Sequence, residues 1–131
     1  MLSCDMIREK SGASIFGNNI FCLTEVDSTN TFVLNIARSG APEGTLVVSN
    51  FQTAGRGKQN RQWFAPRGQN MTFSVLLRPT VKIEHAQKIT LAMANTLADT
   101  IEQFFSQKKW QPIQINLKWP NDLRIGEKKL C

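Results

Sequence analysis

The chain has 131 residues, 41% of them hydrophobic and 20% charged, with a formal net charge of +6. That length makes one domain, which can bury a core without disulfide or metal staples. No apolar run reaches the roughly 20 residues of a bilayer span. Residues 1–12 lack the apolar stretch of a signal peptide, so neither a membrane nor secretion is expected. Cys4, Cys22 and Cys131 are odd in number, scattered and without metal-ligand spacing. They are read as reduced thiols of a cytoplasmic protein. A single histidine, His85, excludes a multi-His centre, and no metal site is expected.

Residues 1–18 are polar and end rich in Gly, Ser and Asn, so they read as an arm ahead of a domain over 19–131. Residues 19–26 are strand-like. Asp27, Ser28 and Thr29 then offer N-caps to a short helix through Phe32, Leu34, Ile36 and Ala37, which stops near Ser39 and Gly40. A second strand, 45–51, runs straight into a loop bearing Gly55 and Gly57. In a third, 71–77, Met71, Phe73, Val75 and Leu77 alternate with Thr72, Ser74 and Leu76. The longest helix falls near 84–105. There Ile89, Met93, Leu97, Ile101 and Phe104 recur at spacings of three and four, a stripe expected to face a core. A fourth strand, 113–119, alternates apolar Ile113, Ile115, Leu117 and Trp119 with Gln114, Asn116 and Lys118, so Lys118 projects on the polar face beside Asn116. Leu123, Arg124 and Ile125, a turn at Gly126 and Glu127, and Lys128 to Leu130 read as a hairpin. The order predicts an α+β fold, a mixed β-sheet with helices packed on one face.

Charge is distributed unevenly along this frame. Residues 44–83 hold six basic residues, Arg56, Lys58, Arg61, Arg67, Arg78 and Lys82, and no Asp or Glu. Three of the six sit in the run from Gly55 to Trp63. Glycines one residue apart let a backbone come close to a ligand. Arg56 brings a planar fork and Lys58 a compact charge, so the loop is suited to an anion. It lacks the Gly-Lys-Ser/Thr ending of a P-loop and is not a dinucleotide fingerprint. Taken alone, Lys118-Trp119-Pro120-Asn121-Asp122-Leu123 reads as a surface lysine followed by a turn. Asp27-Ser28-Thr29-Asn30 alone reads as helix capping, although a helix N-terminus with hydroxyls also accepts a carboxylate.

Together, in this order and spacing, the segments resemble the catalytic domain of biotin protein ligases. The resemblance rests on Ser28-Thr29-Asn30, on the stretch from Gln52 through Gly55-Arg56-Gly57-Lys58 to Trp63-Phe64-Ala65-Pro66, on Asn70-Met71-Thr72-Phe73-Ser74, and on Lys118-Trp119-Pro120-Asn121-Asp122-Leu123. It runs from about Phe21 to the last residue. It implies the fold shared with class II aminoacyl-tRNA synthetases, and a ligase that uses ATP and Mg2+ to convert biotin to biotinyl-5′-AMP. Biotin then passes to one lysine of a biotin carboxyl carrier protein. By resemblance Lys118, Arg56 and Lys58 take the catalytic roles. Ser28, Thr29, Asn30, Gln52, Gly55, Arg56, Gly57, Lys58 and Lys118 hold biotin. Arg56, Lys58, Arg61, Trp63, Lys118 and Asn121 meet the nucleotide and its phosphates, with Trp63 packing over the loop to exclude water. Lys58 stands where the family commonly has arginine, and Gln59-Asn60 replaces a more basic, glycine-containing pair. The family continues beyond residues 129–130 with more of the sheet and a small β-domain, so an incomplete catalytic domain is expected. Open sheet edges predict a homodimer. No nucleic-acid partner is expected. The alternatives are a lipoate or octanoate ligase of the same fold and a non-catalytic biotin-binding fragment.

Overall fold

The structure, a computed structural model, describes residues 3–11, 15–57, 59, 61–119 and 121–131. It divides into two compact units, residues 1–79 and 80–131.

In the first unit, β1 (Ile20–Leu23) and β2 (Leu46–Ser49) lie parallel, joined through helix α2 (Thr29–Arg38). A parallel pair needs such a crossover. β3 (Thr72–Val75) then runs antiparallel to β2, with Val47 opposite Ser74 and Ser49 opposite Thr72. The order β1-β2-β3 makes this the mixed sheet that the sequence predicts. Val33 of α2 packs with Val47 and Leu76 in a buried cluster, and Phe21, Leu23, Phe32, Ile36, Ala37 and Ala41 close around it. Burial of these side chains, at roughly 25 cal/mol per Å² of apolar surface, holds α2 to one face of the sheet.

Pairing does not stop where the strands end. Val26 bridges Gln52 in parallel, Thr53 donates to the Val26 carbonyl at 2.9 Å, and Ala54 donates to the Asp27 carbonyl at 2.8 Å. The chain leaving β1 and the chain leaving β2 are therefore held side by side as they reach the N-terminus of α2 and the glycine loop.

Two cationic residues of the middle segment serve this frame. Arg78 donates to the carbonyls of Ala37 and Ala41 at 3.0 and 2.9 Å, at and just beyond the C-terminal end of α2, where the Ala37 carbonyl also accepts the Gly40 N–H at 3.2 Å. Arg67 pairs with Glu25 and lies 4.2 Å over the Phe51 ring. Carboxylates outside 44–83 thus neutralise part of a segment that carries none of its own.

Residues 1–18 contain helix α1 (Cys4–Ser11), which buries no side chain. Cys4 is joined to Cys22 of β1 by a disulfide, with Cα atoms 5.8 Å apart. This corrects the expectation of three reduced thiols. α1 lies against β1 and brings Cys4 within bridging distance, a proximity that spacing along the chain does not reveal. Cys131 is free and exposed.

The second unit has a short 3-10 turn (Ile83–His85), helix α3 (Ala86–Gln107) and an antiparallel sheet of β4 (Asn116–Lys118), β5 (Asp122–Ile125) and β6 (Lys128–Lys129). The predicted terminal hairpin is β5–β6, and it forms this second sheet with β4. Leu123 is 1% exposed and anchors the unit. Glu102 of α3 accepts the Ile115 N–H at 2.7 Å, tying the helix to the start of β4. The apolar stripe of α3 is only partly covered: Ala94 is buried, Ile89, Leu97 and Ile101 are half-buried, and Met93 and Phe104 are exposed. The physical reason is length. A helix of 22 residues spans about 33 Å, and three strands of two to four residues cannot cover it. At its C-terminal end Phe104, Phe105 and Trp110 pack edge to face, with Trp110 5.7 Å from Phe104 and 5.1 Å from Phe105. Among the described residues no helix is long and apolar enough to cross a membrane.

Candidate ligand site

The N-terminus of α2 is not capped by its own side chains. Ser28 occupies the N-cap with extended backbone but makes no side-chain cap bond. The Gln52 side chain reaches across from the end of β2 instead. Its Oε1 accepts the Thr29 N–H at 2.7 Å and the Thr29 hydroxyl at 3.0 Å. Asp27 accepts the Ser28 N–H at 2.6 Å. The capping expected of Asp27, Ser28 and Thr29 is thus shared with a residue 23 positions away from Thr29 in sequence.

β3 completes the network. Ser74 Oγ lies 2.9 Å from both Thr29 Oγ1 and Asn30 Oδ1. A serine hydroxyl has one proton. Thr29 Oγ1 gives its own proton to Gln52 Oε1, so the Ser74 proton serves Asn30 Oδ1 and each of these groups has a partner. The lone pairs that remain on these oxygens can accept an incoming N–H.

These side chains line one cleft of about 200 Å³, with Ser28, Thr29, Asn30, Gln52, Arg56 and Trp63 joined by Thr72, Phe73 and Ser74. Its wall is mostly hydroxyl and amide, with aromatic rings from Trp63 and Phe73, one guanidinium from Arg56 and no carboxylate. Ser28 and Thr29 are 2% and 3% exposed and form the buried floor of the cleft, Gln52, Trp63 and Ser74 are half-buried, and Asn30 and Arg56 are exposed.

The loop that supplies Arg56 is a tight hairpin. Arg56 pairs with Gln62, Gly57 donates to the Arg61 carbonyl at 2.7 Å, and Trp63 donates to the Gly55 carbonyl at 2.8 Å. A Cβ on Gly55 would fall 2.5 Å from the Trp63 carbonyl oxygen and 2.9 Å from Gln52 Nε2. Glycine is needed there so that the hairpin can close on itself and on the cleft wall. Among the described residues of this loop, the left-handed backbone falls on Gln59, at φ 57°, and not on either glycine. A second cavity of about 370 Å³ opens among Ala54, Gly55, Arg56, Gly57, Arg61 and Gln62. Arg56 lines both.

Six of the residues singled out from the sequence therefore meet in one cleft: Ser28, Thr29, Asn30, Gln52, Arg56 and Trp63. Gly55, Gly57 and Arg61 meet around the second cavity. Lys58, named for catalysis and for biotin and phosphate contacts, lies outside the described residues, as do Asn60 and Pro120. Lys118 and Asn121 belong to the second unit. Lys118 is exposed on β4, directly opposite Asp122 of β5. The Asp122 carboxylate accepts Lys129 Nζ at 2.9 Å and Asn121 Nδ2 at 3.3 Å. Hydrogen bonding from Lys129, helped by the charges of Lys129, Lys118 and Arg124, outweighs desolvation and holds that carboxyl below its ordinary pKa.

No role was assigned in advance to Thr72, Phe73 or Ser74. Their strand was legible from its alternation. Which strand it would pair with was not, and only the register against β2 brings Ser74 to Thr29.

The profile of the biotin/lipoate A/B protein ligase family matches residues 22–131. The chain belongs to this family. It is 34% identical over 128 residues to the bifunctional ligase/repressor BirA of Bacillus subtilis, covering 98% of this chain and 38% of that protein. It is 30% identical over 122 residues to the biotin–[acetyl-CoA-carboxylase] ligase of Mycobacterium tuberculosis, covering 92% of this chain and 45% of that one. Its fold matches the biotin protein ligase from Aquifex aeolicus in complex with biotin and ATP, with a TM-score of 0.70 and 32% identity over 86% of this chain and 44% of that one. The chain thus spans less than half the length of these relatives. The α+β class and the family resemblance read from the sequence both hold.

Proposed function

We propose that this chain carries the biotin-activating site of a biotin protein ligase. In the first step a biotin carboxylate oxygen attacks the α-phosphorus of ATP, pyrophosphate leaves, and biotinyl-5′-AMP forms. In the second, a lysine amine of a biotin carboxyl carrier protein attacks the acyl carbon and AMP leaves. The observation that carries this reading is the cleft, in a member of this family: Thr29, Asn30, Gln52 and Ser74 joined by hydrogen bonds, with Arg56 on the same wall.

The chemistry of the wall supports biotin over a lipoyl or octanoyl chain. A cyclic urea offers two N–H donors and a carbonyl acceptor. The wall offers acceptor lone pairs at Asn30 and Ser74 and amide N–H groups on Gln52. A saturated acyl chain would use none of them, and would cover polar groups without bonding them. In this reading Ser28 and the backbone at Gly55 and Gly57 shape the pocket, and Trp63 shields it from water.

The first step brings two anions together, so it needs fixed cations. Arg56, Arg61, Lys58 and Lys118 are assigned to carboxylate and phosphate oxygens, and Asn121 to the nucleotide. The cleft lining has no carboxylate, and among the described residues no group of three or more His, Cys, Asp and Glu side chains could hold a metal. In this reading Mg2+ enters with the nucleotide substrate. The reaction places the protein in the cytoplasm with its carrier protein, with no part for nucleic acid. The outer strands of both sheets are edges on which a second copy would pair.

Calorimetric titration with biotin, then with biotin and Mg-ATP while pyrophosphate is followed, tests the proposal. Biotin binding with pyrophosphate release is the expected result. Binding without release would reduce the chain to a biotin-binding fragment, and no binding would overturn the assignment of the cleft.

A further inference from the structure

The polar face of the second sheet carries more charge than one substrate contact requires. Register places Asn116 opposite Arg124, Lys118 opposite Asp122 and Arg124 opposite Lys129. Residues opposite one another project on the same face, so Lys118, Asp122, Arg124 and Lys129 share it. Arg124 also pairs with Glu127 of the turn at 3.8 Å, so Lys118 and Lys129 are the two cations left to the Asp122 carboxylate.

That arrangement contains a competition. Directly opposed residues have Cβ atoms about 4.5–5.5 Å apart, well within the reach of a lysine side chain. Asp122 is therefore the nearest anion on this face for the Lys118 ammonium. A lysine held by a carboxylate has its charge already matched and is a weaker partner for a substrate anion. In the structure, however, Asp122 forms its ion pair with Lys129, and none with Lys118 among the described residues. Asn121 Nδ2 contributes a further donor to the same carboxylate oxygen. The Asp122 side chain is 29% exposed and that of Lys129 39%, so this pair is more sheltered than most surface pairs.

We propose that Lys129 is a positioning residue: by occupying the Asp122 carboxylate it keeps the Lys118 ammonium available to a substrate anion. This rests on the reading of Lys118 as the anion contact. It adds that the two-residue strand β6 bears on a reaction from which its own side chains stand apart. The effect passes through Asp122, so the lysine is replaceable by any cation that reaches the carboxylate.

The test is carried out on the 131-residue chain by following the Asp122 carboxyl carbon in an NMR pH titration, in the native protein and in Lys129→Met, each with and without Lys118→Ala. With Lys129 present, removal of Lys118 should change the proton affinity of Asp122 only slightly. In Lys129→Met the same removal should raise it about two- to fivefold more, the range that an exposed ion pair supports. Equal increments in the two backgrounds would overturn the proposal. Biotin-dependent pyrophosphate release supplies the functional arm. Lys129→Met should raise KM for biotin about two- to fivefold with kcat little changed. Lys129→Arg should behave as the native protein, and Asp122→Asn added to Lys129→Met should restore KM. A loss that Asp122→Asn does not restore would mark Lys129 as merely structural and overturn the proposal. If the titration shows the competition while Lys118→Ala leaves pyrophosphate release intact, the assignment of Lys118 falls instead.

Discussion

The cleft of the first unit and the charged face of the second present their cations by different means. Arg56 is delivered by a hairpin closed by two cross-strand hydrogen bonds and lies in a wall whose hydroxyls and amides are bonded to one another. Lys118 stands exposed on a three-residue strand, opposite the charged Asp122–Lys129 pair. The first arrangement selects a shape and a hydrogen-bond pattern, because moving any one group costs bonds to the rest. The second supplies charge, and what regulates it is which partner each charge has. Recognition in the first unit should therefore be broken by steric change, and the chemistry assigned to the second by removal of charge.

The largest effect is expected from Lys118→Ala. Loss of a positioned cation at a site of developing charge costs about 10²–10³ in rate. The side chain is exposed, so the melting temperature should hardly move. A protein that unfolds with Lys118→Ala while the folded fraction retains full pyrophosphate release would make Lys118 structural and erase the contrast between the units.

Gly55→Ala tests the steric side. Its Cβ would meet the Trp63 carbonyl and Gln52, so the hairpin must shift away from the wall, at a cost of about 1–3 kcal/mol. Biotin affinity should fall more than tenfold in calorimetry. Unchanged affinity would show that the hairpin and the wall are independent.

A comparison of Gln52→Ala with Arg78→Ala separates two kinds of polar contact in the same unit. Gln52→Ala leaves the Thr29 N–H without its acceptor, which costs about 1–3 kcal/mol in urea unfolding and removes a cleft donor, so stability and biotin affinity should fall together. Arg78→Ala uncovers two carbonyls at the end of α2 and should cost about 1 kcal/mol of stability with affinity preserved. Were Arg78→Ala to weaken biotin as strongly, the division of the cationic segment into structural and ligand-facing arginines would fail.

That division marks where sequence reasoning stops. The concentration of six cations in 44–83 was plain, and so were the strands, the helices and the motif residues. All of these are local or periodic signals. What each cation touches depends on partners 37 to 42 residues away, as with Arg78 and Ala41 or Arg67 and Glu25. The Cys4–Cys22 pair was missed for the same reason. The α3 stripe was misjudged differently: the period of 3.6 was correctly recognised, but a period states which face is apolar and not whether a sheet large enough to cover it follows. Ser74 is not legible as a cleft residue although its strand is, because its place beside Thr29 and Asn30 arises from register.

The smallest effect concerns pH. The Asp122 carboxyl is held below its ordinary pKa, chiefly by the hydrogen bond from Lys129. A carboxyl with a depressed folded-state pKa stabilises the protein above its unfolded pKa of about 4. That contribution disappears as pH falls through the lower folded value. Near neutral pH, Asp122→Asn should therefore lower stability by a few tenths of a kcal/mol, about the value of a partly exposed pair. The difference between the variant and the native protein should narrow between about pH 5 and pH 2. Urea midpoints across that range measure it. Lys129→Met should lose less than this, since Lys118, directly opposite, then takes the vacated carboxylate, and Asp122→Asn should still narrow with acid in a Lys129→Met background. Were the narrowing absent there, no cation of this face would have replaced Lys129, and the competition between Lys129 and Lys118 would fail.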